Sequence, residues 1–376
     1  MLKIGIVCYP TYGGSGVVAT ELGMALARHG HMVHFISYRR PARLGHYLAN
    51  IYYHEVAPME YPLFDFKPMD TALASKIVDV ALFENLDILH VHYAIPYATI
   101  GYLVREILKT KDKKLPFVTT LHGTDITLIG ADRSYFPVVE FSINQSNAVT
   151  TVSDALRRQT YETFEIGKQI EVVPNFIDFE RFQKKENRQL RREFATDEEK
   201  IVTHVSNFRK VKRVDDVLAV FREINRKMPS KLLLIGDGPE RVRIETMSRE
   251  WGISHEVKFL GKQELVEDLL AISDLFLLPS EHESFGLAAL EAMACEVPVI
   301  SSNIGGLTEV IIDGKTGFTC PVGDIPYMSE KALYILGDEQ RLASFRKAAL
   351  ERAHDFDIVK VLPLYEKIYY EVLAQK

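Results

Sequence analysis

Residues 2–37 read LKIGIVCYPTYGGSGVVATELGMALARHGHMVHFIS. The first eight, LKIGIVCY, are an apolar and partly β-branched run, the pattern of a strand buried on both faces of a parallel sheet. Residues 17–29, VVATELGMALARH, then place apolar side chains at helical spacing, and MVHFIS (32–37) returns to a strand. A strand, a helix and a second strand within one stretch predict a right-handed βαβ crossover. The alternation continues outward through the strands DILHVHY (87–93), FVTTLH (117–122) and AVTTVS (148–153), with helices at 71–84 and 97–109. EVVPNFIDFERF (171–182) breaks the pattern and reads as a linker. Beyond it the alternation restarts with IVTHVS (201–206), KLLLIG (231–236), VKFLG (257–261), LFLLPS (275–280) and PVISS (298–302), and with helices at 214–228, 263–272 and 286–296. The expected fold class is therefore α/β, with two doubly wound domains, 1–172 and 173–356, facing across a cleft. Ligands of such sheets bind beyond the carboxyl ends of the strands. Residues 357–373 read as one last helix with a break at Pro363, whose stripe of Tyr365, Tyr369 and Tyr370 is packing surface.

Composition agrees. The chain has 376 residues, 47% hydrophobic and 26% charged, with a net charge of −6. These are globular values that exclude a disordered chain, and the acidic balance argues against nucleic acid as a partner. Three cysteines, Cys8, Cys295 and Cys320, stand far apart with no metal-ligand spacing, which predicts reduced thiols and a cytoplasmic protein. No apolar run is long enough for a membrane span, and the N-terminal run is too short for a signal peptide. A homo-oligomer remains open.

Four constellations carry candidate chemistry. Gly13-Gly14-Ser15-Gly16 follows the first strand and precedes the first helix, where glycines admit close backbone approach and a helix N-terminus favours an anion. Its spacing matches neither the dinucleotide fingerprint nor the Walker A loop. His122, in LHGTD (121–125), lies at the end of a strand where ligands bind. His90 and His92 share a strand face, but with no evident third ligand a metal pair is disfavoured. Asn207-Phe208-Arg209-Lys210-Val211-Lys212-Arg213 puts four basic residues in five positions at a βα junction, suited to clamp a diphosphate. Finally, Glu283-Ser284-Phe285-Gly286-Leu287 opens a helix that carries Glu291, so that free N–H groups meet a phosphate and a carboxylate a turn later meets a sugar diol.

Taken in order, with GDGP at 236–239 and Gly305-Gly306 before Glu309, these stretches resemble the retaining, nucleotide-sugar-dependent glycosyltransferases of the GT-B fold, over the whole chain. Within that superfamily CYPTYGGSGVVATELG, LDILHVHYAIP, VTTLHGTDIT, VSNFRKVKR and LLIGDGPE resemble the bacillithiol-pathway enzymes that join N-acetylglucosamine to L-malate. The resemblance implies Rossmann-like domains, UDP-N-acetylglucosamine as donor, L-malate as acceptor, and a last helix (357–376) that crosses back onto the N-terminal domain. It implies catalytic roles for Glu283, His122, Arg209 and Lys212. Nucleotide-sugar contacts fall on Gly14, Ser15, Gly16, Asn207, Arg209, Lys212, Ser284, Phe285, Gly286, Leu287 and Glu291. Acceptor contacts fall on Ser15, Lys76, Tyr93, Thr119 and Thr120. No cofactor and no metal are expected, because the basic clamp supplies the positive charge. The sequence departs from the superfamily at Asn207, where an arginine usually stands five residues before the clamp lysine; Arg209 takes that phosphate role. A GT-B enzyme with an inositol phosphate, glycan or lipid-linked acceptor, and a non-catalytic sugar-nucleotide binder, are the alternatives.

Overall fold

A computed structural model describes residues 1–11, 13–45, 49–58, 67–127 and 132–375. Tyr12 of the glycine-rich stretch and Lys376 at the chain end lie outside the described residues. The chain divides into two compact units: Met1–Asn175 with Ile358–Lys376, and Phe176–Asp357.

Unit 1 holds a seven-stranded sheet. Its strands are β1 (Lys3–Val7), β2 (Met32–Ser37), β3 (Ile51–Glu55), β4 (Ile88–His92), β5 (Phe117–Leu121), β6 (Ala148–Thr151) and β7 (Ile170–Val172). Their order is β3-β2-β1-β4-β5-β6-β7, parallel throughout. Unit 2 holds six strands: β8 (Lys200–Val205), β9 (Ser230–Ile235), β10 (Val257–Gly261), β11 (Leu275–Leu278), β12 (Val299–Ser302) and β13 (Gly317–Cys320). Their order is β10-β9-β8-β11-β12-β13, again parallel. In each sheet the winding reverses once, between β1 and β4 and between β8 and β11. That is where strand ends part to leave a binding crevice.

The unit 2 core is apolar. Val202, Leu232, Leu234, Leu275 and Leu277 from the strands pack against Val217, Phe221 and Ile224 of the helix Val214–Asn225, all essentially buried. Each such side chain contributes about 1.5–3 kcal/mol by leaving water. Unit 1 has a similar apolar layer, in which Val91, Leu89 and Phe117 meet Ile77, Ala81 and Val104. Its other face is polar beneath the last helix, Ile358–Ala374. There Tyr369 hydroxyl lies 2.7 Å from His90 Nδ1, and Glu366 lies 2.9 Å from His31 Nε2. The Leu2 N–H donates to His31 Nδ1, so the other ring nitrogen carries the proton toward Glu366.

Three expectations need correction. The segment 171–182 is not all linker, since Ile170–Val172 pairs with β6 as an edge strand. The last helix is not broken at Pro363 but runs through it. Of its tyrosine stripe, Tyr365 and Tyr369 are buried and Tyr370 is half exposed. Tyr370 is one step around the helix from Tyr369, which turns it about 100° away from the packed face.

Candidate active site

Unit 2 gathers the clamp at the carboxyl ends of β8, β9, β11 and β12. The loop after β8 is rooted by His204, whose Nδ1 lies 2.8 Å from Leu277 O and whose Nε2 lies 2.8 Å from Ser206 Oγ. Burial holds this imidazole down to about 4, so it is neutral. Ser206 Oγ accepts the N–H of Phe208, which turns back with φ +37° and buries its ring. That turn leaves Asn207, Arg209 and Lys210 exposed at the rim. The loop after β11 is tied to it three times. Glu281 N–H donates to Val211 O, Arg213 pairs with Glu281 and Asp216, and Lys212 Nζ donates to Glu283 Oε1 at 2.5 Å. Arg213 is thereby spent on the loop junction; of the other three basic residues, Arg209 and Lys210 are exposed and Lys212 is paired with Glu283.

Glycines let these loops stack. A Cβ on Gly238 would fall 2.0 Å from Asn207 O, and one on Gly305, at φ +49°, would fall 2.1 Å from Glu283 O. Backbone can approach backbone this closely only where no side chain intervenes. Gly306 N–H then donates to Glu283 O at 3.0 Å. Glu283 also accepts from Ser280 Oγ, so its carboxylate is fixed from two sides. Ser284 is half buried, while Phe285 is buried edge-on against Phe356 and contributes packing rather than a contact surface. Gly286, at φ +97°, is the N-cap of the helix Leu287–Ala294 and has no side chain to cap it. Leu287 is half buried at its start, and Glu291 is buried one turn on.

Unit 1 gathers a second set at the ends of β1, β4 and β5. The helix Gly14–Arg28 starts at Gly14, three residues earlier than expected, so Gly14, Ser15 and Gly16 form its first turn. Gly13 caps it without a side chain, Gly14 is exposed and Ser15 half buried. A Cβ on Gly16 would meet Tyr9 O at 2.4 Å, which draws this turn against the end of β1. After β4 the chain turns sharply at Tyr93, with φ +96°, a conformation that is rare for an aromatic residue and a mark of functional corners. Its ring sits 5.3 Å from those of Tyr9 and His122. His122, at the end of β5, places Nε2 at 2.9 Å from His92 Nδ1.

Sequence reasoning missed Asp125 as a member of this set. Its carboxylate accepts the N–H groups of Ala94 and Gly123 at 2.9 Å and of His122 at 3.3 Å, which ties the Tyr93 corner to the His122 loop. Burial pushes its carboxyl up to about 6 against those hydrogen bonds. The signal was an Asp three residues after His122, close enough in the chain to accept the N–H groups of the loop that precedes it. Tyr9 was missed as well.

Thr119 and Thr120 require correction. Both are fully buried; Thr119 Oγ1 bonds Ser146 Oγ at 2.7 Å, and Thr120 Oγ1 bonds His90 Nε2 and Thr150 Oγ1 at 2.7 and 2.6 Å. Their hydroxyls bond inside the fold. Lys76 lies in the helix Met69–Phe83, half exposed, with Asp79 at 3.9 Å. His90 spends its ring nitrogens on Tyr369 and Thr120, while His92 faces His122 at hydrogen-bond distance. Among the described residues no group of three or more His, Cys, Asp or Glu side chains could hold a metal.

Comparison with known proteins follows this division. Residues 12–181 match the model of Glycosyltransferase Family 4, and residues 185–352 that of Glycosyl transferases group 1. The chain is 49% identical over 374 residues, 99% of its length and 97% of the relative's, to N-acetyl-alpha-D-glucosaminyl L-malate synthase of Bacillus anthracis. Among solved structures it resembles sucrose-phosphate synthase from Thermosynechococcus elongatus, with a TM-score of 0.83, 21% identity and full coverage of both chains. It also resembles Anabaena HepE in complex with UDP and glucose, with a TM-score of 0.81, 19% identity and coverage of 98% and 99%. A parallel two-sheet fold, two matching glycosyltransferase family models and 49% identity over 99% of the chain converge, and the chain belongs to the glycosyltransferase family of the N-acetyl-alpha-D-glucosaminyl L-malate synthases.

Proposed function

We propose that this protein transfers N-acetylglucosamine from UDP-N-acetylglucosamine to the hydroxyl of L-malate, with retention and without a metal, as the first step of bacillithiol biosynthesis. The observation that carries this reading is the 49% identity to the malate synthase across 99% of the chain. In this reaction the bond from the sugar C1 to the β-phosphate oxygen breaks and a bond from C1 to the malate hydroxyl oxygen forms on the same face. The β-phosphate oxygen takes the hydroxyl proton. Negative charge grows on the departing diphosphate, and the chain's task is to meet it. Exposed Arg209, with Lys212 and the helix N-terminus at Leu287, supplies preorganised donors there. Glu291 holds the ribose, and Glu283, fixed by Lys212 and Ser280, orients the sugar hydroxyls. The first turn at Gly14–Gly16 is suited to a carboxylate or phosphate. Three buried free thiols fit a reducing cytoplasm.

The test is UDP release across an acceptor panel of L-malate, inositol phosphate and a glycan, with and without EDTA, and product anomer by NMR. Malate-dependent release of the α-anomer, unaffected by EDTA, is expected. Response to inositol phosphate or glycan but not malate would leave only the broader glycosyltransferase reading. Loss with EDTA restored by Mg²⁺ would refute the metal-free clamp.

A further inference from the structure

Three imidazoles form a stack inside unit 1. His90 lies 4.3 Å from His92 and His92 lies 5.1 Å from His122, ring centre to ring centre, with interplanar angles of 29° and 26°. His90 is locked at both nitrogens, by Tyr369 and Thr120. His92 is fully buried, with Nδ1 at 2.9 Å from His122 Nε2. Its Nε2 meets no hydrogen-bonding group among the described residues. Burial holds all three rings well below the usual histidine range, so each carries one proton.

Two proton arrangements are then possible. If His92 carries its proton on Nε2, a buried N–H donor is left unpaired. If it carries it on Nδ1, only a lone pair is left unpaired, and orphaned buried donors are the rarer and costlier case. The second arrangement makes His92 donate to His122 Nε2 and leaves His122 protonated on Nδ1. We propose that His92 is a positioning residue that holds His122 in its Nδ1–H tautomer, so that His122 meets the substrate as a hydrogen-bond donor. This rests on His122 belonging to the transferase site.

The experiment uses the full chain labelled with [¹⁵N]histidine, observed in long-range ¹H–¹⁵N spectra, with His122→Gln identifying the His122 signals. Wild type should show His122 protonated on Nδ1, and His92→Phe, which keeps a stacked ring but removes the donor, should shift it toward Nε2–H. His92→Asn, whose amide can occupy the Nδ1 position, should restore the wild-type pattern, and it stands in if the Phe variant does not fold. In the UDP-release assay His92→Phe should lower kcat roughly tenfold with the donor KM unchanged, and His92→Asn should recover most of it. His122 on Nε2–H in wild type, or His122 still on Nδ1–H in His92→Phe, overturns the proposal whatever the activity. Absence of glycosyl transfer by wild type refutes the proposed function instead, and the spectra still decide the tautomer.

Discussion

Lys212 Nζ lies 2.5 Å from Glu283 Oε1, joining the loop after β8 to the loop after β11 through two side chains that sit at a charge-bearing edge of unit 2. Neither is fully exposed, at 21% and 14%, so the pair is better shielded than a surface ion pair. In the proposed reaction the pair has two uses: Lys212 would neutralise the diphosphate, and Glu283 would be held ready for the sugar. Lys212→Ala should cost about 3 kcal/mol of transition-state stabilisation, roughly a hundredfold in kcat. Because Glu283 depends on the same contact, Lys212→Ala/Glu283→Ala should be little worse than the poorer single variant. Losses that add across the kinetic cycle would show that the two side chains act separately.

Arg209 presents the contrasting case. It is exposed and enters no ion pair among the described residues. Arg209→Ala should lower turnover by about a hundredfold and leave the melting temperature unchanged. A fall in thermal stability comparable to the fall in rate would reassign Arg209 to the loop's architecture.

Gly305→Ala tests the stacked loops. The new Cβ would lie 2.1 Å from Glu283 O in a φ +49° conformation, so the Glu283 loop must move. We expect destabilisation of about 1–3 kcal/mol, as for other overpacked sites, with UDP affinity by calorimetry weakened at least as clearly. Wild-type UDP affinity in this variant would separate the glycine stack from nucleotide binding.

Lys76 bears on the acceptor. Its ammonium is half exposed with only a 3.9 Å approach to Asp79, so the charge is available. Lys76→Gln should raise KM for malate several-fold and leave donor KM in place, since only a dianionic acceptor needs the charge. An unaltered malate KM would move the carboxylate contact to the Gly14–Gly16 turn alone.

Acid should unfold this protein early. Burial holds His90 and His122 down to about 3 and His204 to about 4, whereas the unfolded chain takes up those protons near 6.5. The stability they represent is fully present above pH 6.5 and drains as pH falls toward 4, by up to roughly 1.4 kcal/mol per pH unit for each ring. Asp125, raised to about 6, has the opposite sign and offsets roughly one of them over the lower part of that window. The urea midpoint should therefore be flat above pH 7 and drop steeply from 6.5 to 4.5. A flat midpoint through that range would mean the rings are charged in the fold.

The βα alternation, and the placement of residues 207–213 and 283–291 at strand ends, were legible because they are local: runs of apolar residues, turn glycines and bases at a junction. β3 was not, since IYYHE is half exposed and lies at a sheet edge, where polar and apolar residues mix. Thr119 and Thr120 misled because hydroxyls at the end of a strand look alike whether they face a ligand or a neighbouring strand. What settles it is the register that sets Thr120 beside Thr150 and His92. The His92–His122 contact was likewise invisible, being made between residues 30 apart in the chain.

The return of the last helix to unit 1 imposes an order on synthesis. Unit 2 is one uninterrupted stretch, Phe176–Asp357, whereas unit 1 is interrupted by it. As the chain leaves the ribosome, the polar face of β4 and β5 has no cover until Tyr365 and Tyr369 emerge, by which time every residue of unit 2 has been made. The usual order, in which the N-terminal domain is finished first, is reversed here: unit 2 is complete while the half that begins the chain is still open.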